Sequence, residues 1–400
     1  MSFKHATVVP LIGGLTLGQI KAFKTNPEFL LSYKPFISND SHLINHLNNE
    51  IPYHLIDDNK PQLKYVDVIS ACCPCAGLSQ LSHGFGDHNE NNKWMVTTTK
   101  YVLEDLKPSV LYGENAPGFA GKIGQTVREQ LRAIAAKAGY TMSVYRTKSL
   151  FHGIPQIRER SFYFFWRGDK TPIFNYYRRD RLSIEDTIRS ASGNTQREVI
   201  NKKTPSKDDP YYRYILEVIH KGVTHKEFCA MIEPMKARGN DVLSYIELMG
   251  HSYTTVGEWM GKNGYEKEVQ KCEYRVKKVA EGGNLMRRGT VIPKDYIGAF
   301  VGHYPMMLTH PDEDRYINYR EAMTIMGMPQ NFELLDQNKT TNHICQNVPV
   351  QTAADMATEV MASLNSEREW IDSSYVFQYS HTQKHEVADT RTKTLIDFLN

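Results

Sequence analysis

Residues 66–79 read Val66-Asp67-Val68-Ile69-Ser70-Ala71-Cys72-Cys73-Pro74-Cys75-Ala76-Gly77-Leu78-Ser79. Val66, Val68 and Ile69 favour an extended chain, and the Pro and Gly that follow stop it. The segment therefore predicts a buried strand whose carboxyl end opens into a loop with Cys75 at its tip. Ligands of α/β sheets gather at such strand ends, and a thiol there becomes a nucleophile when a helix amino terminus or a cation lowers its pKa. Two other readings stand beside this one. Three cysteines in four positions can be small core residues, and Cys72 with Cys75 has Cys-x-x-Cys spacing, although Cys229, Cys272 and Cys345 are too scattered to complete a zinc site.

The other segments place further candidates at strand ends. Thr7 to Ile20 is a short strand, a glycine cluster and an amphipathic continuation, a turn of nucleotide-binding type in which Gly13, Gly14 and Gly18 would admit a cofactor to the backbone. A purely structural turn would look the same. A second apolar run, Phe29 to Ile37, ends near Asp40, which is a candidate for a ribose contact or for a helix cap. Ser109 to Phe119 is again a strand running into a turn, with Glu114 at its tip, either half-buried and placed for proton donation or simply exposed. Ile123 to Ala138 has helical spacing, with Gly139 as its stop. In Gln156-Ile157-Arg158-Glu159-Arg160, Gln156 and both arginines would share one face of a strand, where two guanidiniums require an anion or a carboxylate.

The chain of 400 residues suits two cores, and its 40 % hydrophobic and 23 % charged composition is that of a globular protein. No apolar stretch reaches the length of a membrane span, the first residues do not form a signal peptide, and six irregularly spaced cysteines suit a reducing compartment. A cytoplasmic protein is expected. The net charge of +3 is uneven, because residues 167–295 carry 24 Lys and Arg against 18 Asp and Glu, a net +6, which leaves −3 elsewhere. From about Gly168 to Val301 the strand-helix rhythm fades into a tyrosine-rich basic segment with Tyr176, Tyr177, Arg178, Arg179, Arg181, Tyr211, Tyr212 and Arg213. Stretches such as His251 to Gly264 predict long loops. A polyanion partner and a solvated basic surface both account for this pattern. Gln80 to Lys93 predicts a long polar loop of the kind used as a lid.

Taken in order, these segments resemble the cytosine-5 DNA methyltransferase family. Pro74-Cys75 with Ser79 resembles its nucleophile loop, Glu114-Asn115-Ala116 its Glu-Asn-Val triplet, Gln156-x-Arg158-x-Arg160 its Gln-x-Arg-x-Arg strand, and Arg320-Glu321-Ala322 with Gly327-Met328-Pro329 the motif after its recognition domain. Departures fall mostly on the cofactor side. Thr7, Val9 and Leu11 stand where the family's first motif has Asp, Phe and Gly, Cys345-Gln346-Asn347-Val348-Pro349 replaces Gly-Asn-Ala/Ser-Val-Pro, and Ala76 replaces Gln.

The resemblance implies an α/β, Rossmann-like catalytic domain with a mixed, mostly parallel sheet, built from residues 1–166 and 302–365. A target-recognition domain would occupy 167–301, and residues 366–400 would be a tail of unknown role. It implies S-adenosyl-L-methionine as cofactor, held by Gly13, Gly14, Asp40, Pro74, Asn347 and Val348, and catalysis by Cys75, Glu114, Arg158 and Arg160, with no metal. The implied partner is double-stranded DNA, bound by a monomer as in restriction-modification enzymes, with the target base flipped out. The rivals are an RNA cytosine-5 methyltransferase and a non-catalytic or cofactor-altered DNA-binding relative.

Overall fold

The computed structural model describes residues 3–33, 40–56, 61–74, 76–79, 86, 92–234, 240–283, 285, 289–336, 339–373 and 375–379. Strands β1 (His5–Val8), β2 (Leu30–Ser32), β3 (Tyr53–Leu55), β4 (Val68–Ala71), β5 (Val110–Asn115), β6 (Tyr140–Lys148) and β7 (Glu159–Arg167) are joined by a late strand from the chain's far end. Lys170–Pro172 (β8) and Trp370–Asp372 (β9) make a separate antiparallel pair, and Tyr375–Tyr379 (β10) adds to the main sheet. The eight-stranded order is β10-β6-β7-β5-β4-β1-β2-β3, and β7 alone runs against its neighbours. Residues 370–379, expected in a tail, thus supply two strands.

β1, β4 and β5 are buried along their whole length, as parallel strands covered on both faces are. Two of their polar side chains, Thr7 and Ser70, are paired with each other across the sheet. Thr7 on β1 faces Ser70 on β4 at 3.0 Å, and Ser70 donates to Gln19 Oε1 at 2.7 Å. Chain order reverses between β1 and β4, so the crevice expected to take ligands lies outside the carboxyl ends of these two strands.

Helices cover both faces: α1 (Gly14–Phe23), α2 (Asp40–His46), α3 (Asn92–Tyr101) and α4 (Gln125–Ala138), with α4 burying Val127, Leu131 and Ala135 and ending at Gly139, whose φ is 80°. After β8 come α5 (Ile184–Arg189), α6 (Pro205–Asp208), α7 (Pro210–Tyr214), α8 (His225–Met231), α9 (Val242–Leu248), α10 (Tyr253–Lys262) and α11 (Glu266–Ala280). The chain then returns through α12 (Tyr319–Ile325), α13 (Thr341–Gln346) and α14 (Val350–Leu364). One apolar cluster draws only on residues between Tyr211 and Ile292, whereas Ile184 and Ile188 of α5 pack with Met323 and Ile325 of α12.

One expectation for the middle of the chain is corrected. His251 to Gly264 forms a helix rather than a loop, because Ser252 caps it by accepting from the Thr255 N–H and Tyr253, Val256, Gly257 and Met260 bury one helical face.

Gly18, expected at the cofactor, serves packing instead. A Cβ there would stand 2.4 Å from Ala353 Cβ and 2.6 Å from Ala354 N, so its absence lets α1 and α14 meet. The segment after β8 is fixed to the same helix. Arg179 donates through Nε and Nη2 to the Asp355 carboxylate, His152 Nδ1 lies 2.8 Å from Asp355 Oδ2, and Tyr177 donates to Glu359. Burial pushes the Asp355 pKa up, but the hydrogen bonds from His152 and Arg179 outweigh it and hold the carboxyl below its ordinary value.

Two outcomes follow. Gly18→Ala should destabilise the protein by about 1–3 kcal/mol through overpacking, measured by urea unfolding. Because the folded pKa of Asp355 is depressed, its stabilisation is present above the unfolded carboxylate value of about 4 and is lost as the pH falls through the lower folded value. Asp355→Asn should therefore weaken the dependence of unfolding free energy on pH below about 4.

Candidate active site

The first wall of the crevice is the turn from β1 into α1. Val9 and Leu11 both have φ of 53°, and Gly13 has φ of 106°. Such a conformation costs a non-glycine residue roughly 1–3 kcal/mol, so the turn holds the chain in a strained path. The positive φ at Leu11 gives a physical reason for glycine at that place in the resembled motif. At Gly14 the turn meets the far end of the chain. Its N–H donates to Asn347 Oδ1 at 2.7 Å, and a Cβ would stand 2.0 Å from Val348 O. Asn347 is buried, and its Nδ2 lies 2.9 Å from Met328 Sδ. Gly13, Gly14, Asn347 and Val348 are thereby brought together.

Asp40 opens α2 rather than closing β2, and residues 34–39 between them lie outside the described residues. Its carboxylate accepts from Tyr53 Oη of β3 at 2.6 Å, and burial pushes its pKa up.

The second wall is formed by β4, β5 and β7. Pro74 is half-buried after β4, while Cys75 and most of the expected lid, 80–85, 87–90 and 91, lie outside the described residues. Ala76–Leu78 forms a single tight turn against the chain leaving β5, where a Cβ on Gly118 would stand 2.3 Å from Leu78 O. Glu114, the second-last residue of β5, is buried one residue beyond the Ala71–Gly113 pairing with β4. Arg160 comes from β7 and sets its Nε 2.5 Å from Glu114 Oε1. A buried carboxylate with a guanidinium on one oxygen keeps the other for a ligand.

Gln156, Arg158 and Arg160 do not share one role. Arg158 is buried and donates through Nη1 to Phe300 O at 2.9 Å, while Gln156 Oε1 accepts from the Phe300 N–H at 3.1 Å. The start of the motif therefore grips one residue of the segment returning from the middle of the chain, and its end faces Glu114. Phe300 carried no signal in the sequence, because its contacts are made by its backbone. Asn115, named there only within the triplet, is fully buried, and its Nδ2 has no hydrogen-bond partner among the described residues.

The cations expected to meet a polyanion are partly engaged within the protein. Arg179 is bound to Asp355, Arg181 to Asp295 and Arg213 to Glu217. Among the described residues no group of three or more His, Cys, Asp or Glu side chains could hold a metal ion. A groove of about 710 Å³ beside Arg132, Gly139, Tyr140 and Met142 lies at the amino end of β6, away from these loops.

A sequence model of C-5 cytosine-specific DNA methylases matches residues 12–362. The chain belongs to this family. No curated protein matches at the sequence level. Among solved structures, an E. coli prophage protein assigned as a DNA modification methyltransferase aligns with a TM-score of 0.54 at 15% identity, covering 91% of this chain and 100% of its own. A methyltransferase of Entamoeba histolytica aligns with a TM-score of 0.52 at 11% identity over 91% of this chain and 99% of its own. The Dnmt2 methyltransferase of S. pombe gives 0.48 at 13% identity over 91% and 99%. At these identities the likeness is one of fold, and it agrees with the mixed, mostly parallel sheet.

C-5 cytosine-specific methylases use S-adenosylmethionine. The turn at Gly13 and Gly14 is close-packed, because the space of a Cβ is filled by Leu43 at Gly13 and by Asn347 and Val348 at Gly14, so any side chain added there would displace the start of α1 where the methylase reading puts the cofactor. The methylase reading therefore predicts that Gly14→Ala, whose Cβ would collide with Val348 O, lowers S-adenosylmethionine affinity by tenfold or more on the order of a lost buried hydrogen bond, measured by calorimetry on protein shown to be folded.

Proposed function

We propose that this chain is a DNA (cytosine-5-)-methyltransferase acting on a cytosine flipped out of double-stranded DNA. The observation that carries the proposal is the Glu114–Arg160 pair, set at the carboxyl edge of β5 beside the loop that Pro74 opens on β4. Cys75 is assigned the nucleophile from its place in that loop. Carbon 5 of cytosine is a poor nucleophile until carbon 6 gains a partner, and a thiolate from Cys75 makes that bond. Glu114 hydrogen-bonds the ring nitrogen and exocyclic amine and delivers a proton to the nitrogen as negative charge develops there. Arg160 keeps Glu114 Oε1 in place, and Arg158, anchored on Phe300, supports the same wall.

Gly13, Gly14, Asp40, Pro74, Asn347 and Val348 would hold S-adenosylmethionine, which when bound supplies the methyl group. Loss of the carbon 5 proton and expulsion of Cys75 then restore the enzyme. Extracting the base from a duplex costs a few kcal/mol, which contacts from the segment before α3 and the basic middle of the chain would offset. The reading is of a monomeric, DNA-associated cytoplasmic enzyme of restriction-modification type, in which residues 167–301 recognise the target.

Incubation with labelled S-adenosylmethionine and either duplex DNA or transfer RNA tests this. Labelled 5-methylcytosine in DNA, absent with Cys75→Ser and reduced roughly 10²–10⁴-fold with Glu114→Gln, is the expected result. Label confined to transfer RNA would transfer the proposal to an RNA substrate. Absence of label from both would overturn it.

A further inference from the structure

The glycine turn is held from two sides by helices far apart in sequence. On one side α2 presents Leu43, and a Cβ on Gly13 would stand 2.6 Å from Leu43 Cδ1. On the other, Asn347, directly after α13, accepts the Gly14 N–H. These two helices are also joined directly, because His42 Nε2 on α2 lies 3.0 Å from His343 Nδ1 on α13. The direction of that bond follows from a third contact. The Leu335 N–H donates to His42 Nδ1 at 3.0 Å, so Nδ1 carries no proton and neutral His42 bears its hydrogen on Nε2. His42 therefore donates and His343 accepts. His42 is completely buried, so removal of the acceptor takes away a hydrogen bond that joins the two helices inside the core.

We infer that His42 and His343 are positioning residues that set the separation of α2 from α13 and thereby the grip of the Gly13–Gly14 turn on the cofactor. Neither touches the reacting atoms at Glu114. The bond acts through Leu43 and Asn347, which flank consecutive glycines of one turn. It closes a ring of contacts comprising the glycine turn, α2, the histidine pair and α13. Asp40, at the start of α2, moves with the same helix. The inference rests on the reading that this turn holds S-adenosylmethionine.

The test compares the full-length wild type with His343→Leu, which removes the acceptor, and His343→Asn, whose Oδ1 replaces Nδ1 as an acceptor. Three quantities are read: the S-adenosylmethionine Kd by calorimetry, the KM for the nucleic-acid acceptor, and ligand-free amide hydrogen exchange over 12–15 and α2. His343→Leu is expected to weaken cofactor binding about tenfold and to speed exchange in both segments, with the acceptor KM within about twofold. His343→Asn should restore both to within about threefold of wild type. Unchanged affinity and exchange in His343→Leu would overturn the inference alone. Faster exchange without cofactor binding in any variant, wild type included, would overturn the cofactor reading and the effect inferred from it. Should His343→Leu not fold, His343→Ala makes the same comparison without added bulk.

Discussion

One hydrogen bond spans 333 residues of sequence: the Gly14 N–H donating to Asn347 Oδ1. It is made in a buried space with no room for a Cβ on Gly14, where leaving either partner unpaired is expensive. Everything around it follows from the need to bring these two chain ends into register. α1 starts at this bond and α14 starts three residues beyond its acceptor, and the two helices pack face to face through Gly18. A sheet covered by helices from both ends of a chain needs the chain to return, and here the return is secured by Gln156 and Arg158 on Phe300 and by the bond to Asn347.

The antiparallel strand β7 gives the crevice its second wall. A parallel strand next to β5 would run in the same direction and present its own carboxyl end, whereas β7 enters at that edge and brings Arg160 to Glu114 near its first residues. The same reversal places Gln156 and Arg158 just before β7, within reach of the returning segment. One short motif thus serves both crevice wall and chain return, because a strand start projects its preceding loop beyond the sheet.

The basic middle segment illustrates how charge in a sequence divides once the chain folds. Arg179 and Arg368 meet Asp355 and Glu359 on α14, and Arg181 meets Asp295. Of the cations in residues 167–295, Arg179 is matched by a carboxylate outside that segment and so lowers its +6 excess, whereas the Arg181–Asp295 pair is already counted within it. On α11 the cations remain in large part exposed, as Lys271 and Lys277 show. The location of free charge, not its total, bears on nucleic-acid binding.

By itself the sequence determined the local order of the protein: buried strands at β1, β4 and β5, the stop of α4 at Gly139, and candidate groups at successive strand ends. These are properties of neighbours along the chain, set by β-branched runs, helical spacing and glycine's conformational freedom. The helix at Tyr253–Lys262 was obscured by its glycines, although one of them, Gly257, allows close approach to Cys272 of α11. Only the tertiary structure decided that Gly18 serves α14, that Arg158 and Arg160 divide between Phe300 and Glu114, and that 370–379 joins the fold. It also revealed His42 facing His343. Each of these depends on atoms hundreds or tens of residues away, and no pattern of neighbours encodes a partner that folding alone brings within hydrogen-bond distance.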